Sequence, residues 1–242
     1  MIFIFISSLS RLEWVDAASS ESYTCGILRL LKRKELWVPT WFGWVVLLAV
    51  FLGLAAGFLA FAHSFLSVNR PVKANVLVVE GWLPDYALEE AVKEFKQKGY
   101  EYLVAAGGPM PQGHLVSGYD TFARIAGATL RELQMPKEKL IEAPAAKTYK
   151  NRTWESAKAV RAKLRESGIS VSGLNVVSEG PHARRTRLVY RKVFAKETVV
   201  GVVAVRSMDY DADRWWESSE GMKTTMSEGV GWLFESLFSS SR

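Results

Sequence analysis

The chain has 242 residues, of which 49% are apolar and 23% charged, and this composition excludes an intrinsically disordered protein. Its formal net charge is +6, but no long basic tract is present, so the sequence does not indicate nucleic acid binding. The single cysteine, Cys25, excludes an intrachain disulfide and a cysteine-based zinc site, and without an HExxH pattern no metal site is expected.

A long apolar segment dominates the N-terminal third. No Asp, Glu, Lys or Arg lies between Glu35 and Arg70, and residues 41–62 are long enough to cross a membrane core that needs about 20 apolar residues. Tryptophans cluster at one end, as at a membrane interface. Residues 37–68 are therefore predicted to be one transmembrane anchor, uncleaved because the apolar run exceeds the roughly 7–15 residues of a signal peptide core.

The flanking charges predict the orientation of this anchor. Four basic residues precede it and only two follow closely: Arg29, Lys32, Arg33 and Lys34 before the span, Arg70 and Lys73 after it. Because the more basic flank stays inside the cell, residues 1–36 are predicted to be a cytoplasmic tail, and the chain beyond Arg70 to lie outside the cytoplasm.

Strand and helix patterns alternate beyond residue 70. Short apolar runs predict strands, and apolar residues at helical spacing predict helices between them, with Asp85 as an N-cap and Gly99 as a C-terminal stop. The predicted strands are 75–80, 102–108, 139–144, 174–180 and 197–205, and the predicted helices are 83–99, 117–134, 151–168 and 182–194. This alternation predicts an α/β domain over 71–206, a three-layer sandwich with a mostly parallel sheet covered on both faces.

The C-terminal segment 207–242 has a different character. Apolar residues at helical spacing predict an amphipathic helix within 214–238, which we expect to pack on the domain; resting on the membrane is the alternative. Acidic residues within 209–220 are spaced like a calcium loop, but Arg214 stands where that loop needs glycine. Helix capping is the favoured interpretation of these acidic residues.

Ligands of open parallel sheets bind beyond the carboxyl ends of the strands. Four stretches are expected to meet at that edge, namely Glu80–Trp82, Gly107–Gly108, Thr148–Arg152 and Ser178–Arg185. Paired glycines let backbone N–H groups approach an anion closely, although a tight turn requires glycine equally well. The carboxyl edge of the sheet is therefore the predicted ligand-binding site.

The stretch PHARR at 181–185 places three cationic side chains at the start of a helix, where the helix dipole disfavours them. A bound anion would account for this, and Ser178, His182 and Arg185 could all contact it. The alternative is a basic helix face with a satisfied histidine. Glu80 and His182 are the candidate acid and base, since a carboxylate and an imidazole at strand ends could share a proton transfer.

Several enzyme motifs are missing. The chain contains no GxxxxGK[ST] phosphate loop and no GxGxxG, because GGPMPQG at 107–113 fits neither pattern. A hydrolase triad of Ser178, His182 and Glu80 is conceivable, but no GxSxG turn supports it. The sequence indicates no particular cofactor.

Four stretches of the sequence resemble the YdcF/SanA/ElyC family of bacterial envelope proteins, namely NVLVVEGW, AAGG, TYKNRTWESA and VSEGPHARRT. The last of them contains a His-x-x-Arg pattern at His182 and Arg185. The likeness covers about 75–205. It implies a Rossmann-like domain held in the periplasm by an inner-membrane anchor. It also implies a link to envelope integrity, peptidoglycan or lipid-carrier metabolism.

Two departures from the family pattern remove carboxylates. Ser117-Gly118-Tyr119 stands where the family has Ser-Glu-Ala, and Thr148-Tyr149-Lys150-Asn151 stands where it has Thr-x-Glu-Asn. Any catalytic role inferred from those two acidic residues is therefore in doubt for this chain.

Two functions follow as hypotheses. In the first, the outer domain binds a phosphorylated envelope metabolite, lipid-linked or nucleotide-like, and any catalysis is hydrolysis or group transfer. Glu80 and His182 would be catalytic, and the ligand would be held by Gly107, Gly108, Thr148, Asn151, Arg152, Ser178 and Arg185. In the alternative, the protein is a non-catalytic factor that docks on another envelope protein through Trp215, Trp216 and Trp232.

Overall fold

The computed structural model describes residues 37–195 and 198–238. The described residues divide after residue 46 into two units, and the second contains the sheet. The helices are α1 (Trp41–Leu66), α2 (Asp85–Lys98), α3 (His114–Ser117), α4 (Phe122–Glu132), α5 (Arg152–Glu166), α6 (His182–Phe194) and α7 (Ser219–Phe238). The strands are β1 (Val76–Glu80), β2 (Tyr102–Gly107), β3 (Leu140–Pro144), β4 (Leu174–Glu179) and β5 (Val200–Val205). Short 3₁₀ helices cover Lys137–Lys139 and Ala212–Glu217.

The five strands form one sheet in the order β3-β2-β1-β4-β5, and all neighbours pair in parallel. Because the chain steps outward from β1 to β3 and then returns to β4 on the other side of β1, the strand order reverses between β1 and β4. In open α/β sheets a reversal of this kind opens a crevice at the carboxyl ends of the two strands. The predicted α/β fold with a parallel sheet is confirmed.

Helices cover both faces of the sheet. Side chains of a strand alternate between faces, so Val76 and Val78 of β1 pack against α5 and α6, whereas Leu77 and Val79 pack against α2 and α4. Each strand is therefore apolar along most of its length, as buried parallel strands are. The same alternation directs the next residue of β1, Glu80, toward α6.

Helix α1 is long and apolar enough to cross a membrane, and its most apolar stretch is not buried against the rest of the chain. Its bounds lie within the predicted anchor 37–68. The tail 1–36 lies outside the described residues.

Two local predictions were wrong. Asp85 is the first residue of α2, and the N-cap is Pro84. The helix predicted over 117–134 begins only at Phe122, because Gly118 has a positive φ of 73° that ends the short α3, and Thr121 then caps α4. The helix predicted within 214–238 is observed as α7, which follows a 3₁₀ helix because Arg214 and Ser218 leave the helical backbone region. Gly99, with a φ of 71°, ends α2 as predicted.

The end of α1 lies against the carboxyl edge of the sheet. His63 Nε2 is 3.1 Å from the Tyr210 hydroxyl, and a Cβ on Gly180, directly after β4, would lie 4.0 Å from the same His63 atom. From there the chain runs antiparallel to β5, where Arg70 and Val202 exchange two backbone hydrogen bonds. The edge at which ligands bind in such folds is thus the edge that α1 approaches.

Candidate functional site

A buried carboxylate marks the crevice between β1 and β4. Val79 lies opposite Val177, so Glu80 and Ser178 follow side by side, and both face α6. The Ser178 hydroxyl donates to Glu80 Oε2 at 2.5 Å, and the Thr186 hydroxyl lies 3.2 Å from each Glu80 oxygen. Glu80 is 4% exposed. The sheet and α6 together hold this carboxylate out of water.

His182 lies between two carboxylates. Its Nε2 atom is 3.3 Å from Glu80 Oε1 but makes no hydrogen bond, and its Nδ1 atom is 3.0 Å from Glu228 Oε1. Trp82 covers the ring edge-on at a centroid distance of 5.1 Å. Burial lowers the pKa of His182, but the charge of Glu80 and the hydrogen bond with Glu228 outweigh it and raise the pKa to about 9. The two carboxylates therefore favour the protonated imidazole, although a terminal nitrogen of Arg185 also lies 3.1 Å from Nδ1.

Arg185 binds a carboxylate of the protein itself. Its Nε and one terminal nitrogen contact the two oxygens of Glu228 at 2.7 and 2.9 Å, a bidentate ion pair. Burial opposes the charge of Glu228, but its contacts with His182 and Arg185 prevail and lower its pKa to about 2. The charge that balances the cationic start of α6 is thus a side chain of α7. The expectation that a ligand alone balances it is corrected here.

The basic residues of α6 continue this pairing along α7. Lys192 Nζ lies 3.3 Å from Glu235 Oε1 and also donates to the Glu235 backbone oxygen. Arg185 and Lys192 are seven residues apart, as are Glu228 and Glu235, so the two helices run in the same direction. The expected packing of the C-terminal helix on the domain is observed, through polar contacts. These contacts fit the alternative to an anion site, in which the basic residues form one face of α6.

Buried polar atoms without partners surround this cluster. Among the described residues, His182 Nε2, the Tyr190 hydroxyl and Thr225 Oγ1 are buried and make no hydrogen bond. Tyr190 is fully enclosed, and burial together with the charge of Glu80 raises the pKa of its hydroxyl well above the usual value. Such groups are rare in folded proteins and are found where a water or a ligand belongs.

The paired glycines have different surroundings. A Cβ on Gly107 would lie 2.6 Å from Phe122 Cβ, so the packing of α4 against β2 requires glycine there. A Cβ on Gly108 would have no neighbour closer than 3.8 Å. Only Gly108 therefore keeps a surface open enough to be a ligand contact.

The segment Thr148–Arg152 lies apart from the His182 cluster. Thr148 forms a local turn, because its Oγ1 accepts from the Lys150 backbone at 3.1 Å and donates to the Lys150 carbonyl at 2.6 Å. Asn151 begins α5 with a left-handed backbone and no side-chain cap, and Arg152 is exposed. The topology places this segment at the same edge of the sheet, but no described contact joins it to His182 or Arg185. Four predicted residues, Glu80, Ser178, His182 and Arg185, do come together.

No model of a known protein family and no curated protein matches this chain. The chemistry of the site is therefore read from its geometry.

Two alternatives considered for this region are not favoured by the geometry. Ser178 donates its hydroxyl hydrogen to Glu80, so it is not arranged as a nucleophile activated by His182. Asp211 caps the 3₁₀ helix by accepting from the Asp213 backbone and pairs with Arg206 and Arg214, as the capping interpretation expects. Within residues 37–195 and 198–238, no cluster of His, Cys, Asp and Glu could hold a metal ion.

The tryptophans proposed for docking mainly join the tail to α1. Trp215 is 1% exposed, and its indole N–H donates to the backbone oxygen of Leu59 at 3.0 Å. Trp232 packs edge-on against Phe65 at 5.1 Å. Only Trp216, 37% exposed, has a substantial free surface. Of the three, Trp216 therefore has the surface that is most available for docking on another protein, and the docking hypothesis stays a prediction.

Two members of the site did not emerge from the sequence: Thr186 and Glu228. Thr186 is one helical turn beyond His182 and could have been inferred from α6. The shared seven-residue spacing of Glu228–Glu235 and Arg185–Lys192 was the available signal for the α6–α7 pairing.

Proposed function

We propose that this chain is a membrane-anchored protein of the bacterial envelope whose α/β domain lies in the periplasm and binds a phosphorylated, lipid-linked metabolite. The observation that carries the proposal is His182, buried between the carboxylates of Glu80 and Glu228 where β1 and β4 diverge. Buried titratable groups with perturbed pKa values concentrate at functional sites, because keeping them charged costs stability.

The phosphate would take the place of the Glu228 carboxylate. The Glu228 carboxylate contacts both His182 and Arg185, and Glu80 lies on the other side of His182. A phosphate oxygen pair matches the guanidinium fork that Glu228 now occupies, so replacing one anion by the other preserves the charge balance. Glu228 therefore acts as an internal substitute for the ligand.

The residues also suit acid catalysis. A protonated His182 could donate its proton to a leaving oxygen, and Glu80, directly beside it, would stabilise the imidazolium until then. Hydrolysis and group transfer both need such a donor. Gly108, Thr148, Asn151 and Arg152 would complete the phosphate contacts from the neighbouring strand ends, where ligands of this fold class bind.

The position of α1 favours a ligand presented by the membrane. The carboxyl edge of the sheet contains the cluster, and His63 of α1 lies beside Gly180 at that same edge. A lipid-linked phosphate would meet the site without leaving the bilayer. The basic residues before the anchor and the resemblance to the YdcF/SanA/ElyC family support the periplasmic placement.

The test is native mass spectrometry of the full-length chain extracted from its own host membranes. We expect a retained phosphate-bearing molecule, lost in Arg185→Ala and kept in Arg191→Ala, an exposed arginine on the same helix. Glu228→Gln should retain more of it, because the competing carboxylate is gone while the side-chain shape is kept. Equal retention by wild type and Arg185→Ala would sink the proposal.

A further inference from the structure

Helix α7 has its apolar side facing outward. Toward the domain it presents small or polar residues, including Gly221, Thr225, Glu228 and Glu235. Its outward residues are apolar and between 39% and 68% exposed, namely Met222, Met226, Val230, Leu233, Phe234, Leu237 and Phe238. An amphipathic helix on a soluble domain has the opposite orientation. This outward surface, called here the α7 stripe, therefore needs a partner.

The bilayer can reach only the beginning of the stripe. Trp215, packed against Gly221 at the start of α7, bonds to Leu59 of α1, and a Cβ on Gly229 would lie 3.7 Å from Leu66, the last residue of α1. The two helices thus advance together away from the membrane, and at about 1.5 Å per residue α7 continues for ~13 Å beyond Gly229. Since a membrane core needs about 20 residues, the 26 residues of α1 already exceed it. If the membrane-spanning part of α1 begins at the tryptophans around residue 41, Leu233 and Leu237 are expected to lie beyond the membrane core.

The spacing of the stripe fits a second helix. Met226, Val230, Leu233 and Leu237 follow one another at intervals of four, three and four residues, the pattern of a coiled-coil seam. Parallel two-helix coiled coils favour a β-branched residue at position a and leucine at position d of the seven-residue repeat. Val230 stands at position a and Leu233 at position d. Glu228 and Glu235 lie on the opposite side of α7, where they bind α6.

We propose that the partner is a second copy of this chain and that α7 forms a parallel dimer seam through Val230, Leu233 and Leu237. Two copies anchored in one membrane present their stripes at the same height and in the same direction, which a two-fold axis along the membrane normal requires. Anchoring in a shared plane also raises the effective concentration of each copy, so a short seam suffices. This inference does not depend on the proposed ligand.

Cysteine cross-linking in native membranes tests the geometry of the seam. In a Cys25→Ser background, Val230→Cys and Leu237→Cys should each give a disulfide-linked dimer as the main species. Lys96→Cys, exposed on α2 across the sheet, is the matched control and should stay monomeric. Cross-linking of Met226→Cys to Leu237→Cys between co-expressed chains, without 230–230 linkage, indicates antiparallel pairing and overturns the proposal.

A stoichiometry measurement separates the possible partners. Single-molecule photobleaching of the full chain in native-membrane nanodiscs should count two copies, falling to one in the Val230→Glu/Leu237→Glu double variant. Both residues are more than half exposed, so the variant should keep the wild-type melting temperature and the retained ligand. One copy in the wild-type chain, or cross-links from position 230 to a different protein, overturns the proposal in favour of lipid or a foreign partner.

Discussion

The two edges of the sheet bury polar side chains in opposite ways. Near the amino edge, Asn175 of β4 is fully buried, and its amide bonds to the backbone N–H and oxygen of Val72 and to the Tyr100 hydroxyl, each at 2.8 Å. Near the carboxyl edge, three residues further along the same strand, Ser178 joins a cluster of charged residues. The first group is neutral and satisfied, whereas the second is charged and surrounded by unpartnered atoms.

The difference separates a structural role from a functional one. Asn175 ties the segment after α1 to the sheet with neutral hydrogen bonds, and such bonds stabilise a fold at little cost. Burying ions costs more than an apolar core of the same shape would, so a charged cluster is poor evidence for stability alone. We therefore assign the amino edge to stability and the carboxyl edge to chemistry.

Removing Glu80 should have the largest effect. Glu80→Ala leaves His182 with one buried carboxylate partner and the Ser178 and Thr186 hydroxyls with none, and breaking a buried pair in this way costs about 3–5 kcal/mol. Denaturant unfolding of the full chain in detergent, followed by tryptophan fluorescence, measures the loss at pH 7. Glu80→Gln keeps the shape and should lose less. A loss below about 1 kcal/mol for Glu80→Ala would mean that the cluster is not buried as described.

The stability of the wild-type chain should fall at alkaline pH. The pKa of His182 is raised from 6.5 to about 9, so its contribution is complete below pH 6.5 and disappears as the pH rises through 9. A shift of this size corresponds to about 3 kcal/mol. The pKa of Glu228, lowered from 4.5 to about 2, adds a second loss as the pH falls from 4.5 toward 2. The unfolding free energy measured between pH 5 and 10 checks the alkaline limb, which His182→Gln should flatten.

Asn175→Ala should cost less and should not depend on pH. It leaves the Val72 backbone N–H and oxygen without a partner, while the Tyr100 hydroxyl keeps its hydrogen bond to Glu94 at 3.1 Å, so we expect a loss of about 2 kcal/mol. Burial raises the pKa of Tyr100 to about 12, so nothing in this network titrates between pH 5 and 10. The same unfolding series serves as the measurement, with Asn75→Ala, which removes neutral hydrogen bonds to Ser170 and Ser172, as a second variant that should not depend on pH. If the loss in Asn175→Ala varied with pH, it would contradict the assignment of the amino edge to stability and of the carboxyl edge to chemistry.

The fold was predictable because its signals are local. Short apolar runs predicted the strands, and glycines predicted where the helices between them end. Helix α6 was predicted with its observed bounds. The helix over 117–134 was wrong because its apolar spacing continued through Gly118, whose backbone cannot continue a helix. The anion partner was missed because Glu228 lies 43 residues beyond Arg185, and sequence spacing does not report contacts between helices that are distant in the chain.

The paired glycines connect the comparison to the ligand, and Gly108→Ala has the smallest predicted effect on stability. Gly107→Ala forces a methyl group to within 2.6 Å of Phe122 Cβ and should cost about 1–3 kcal/mol by overpacking. Gly108→Ala has room and an ordinary backbone, so its unfolding free energy should stay within about 0.5 kcal/mol of wild type. If Gly108 contacts the phosphate, the added methyl group will nevertheless reduce the retained ligand in native mass spectra. Unchanged stability with unchanged retention would remove Gly108 from the site and confine ligand binding to the His182–Arg185 cluster.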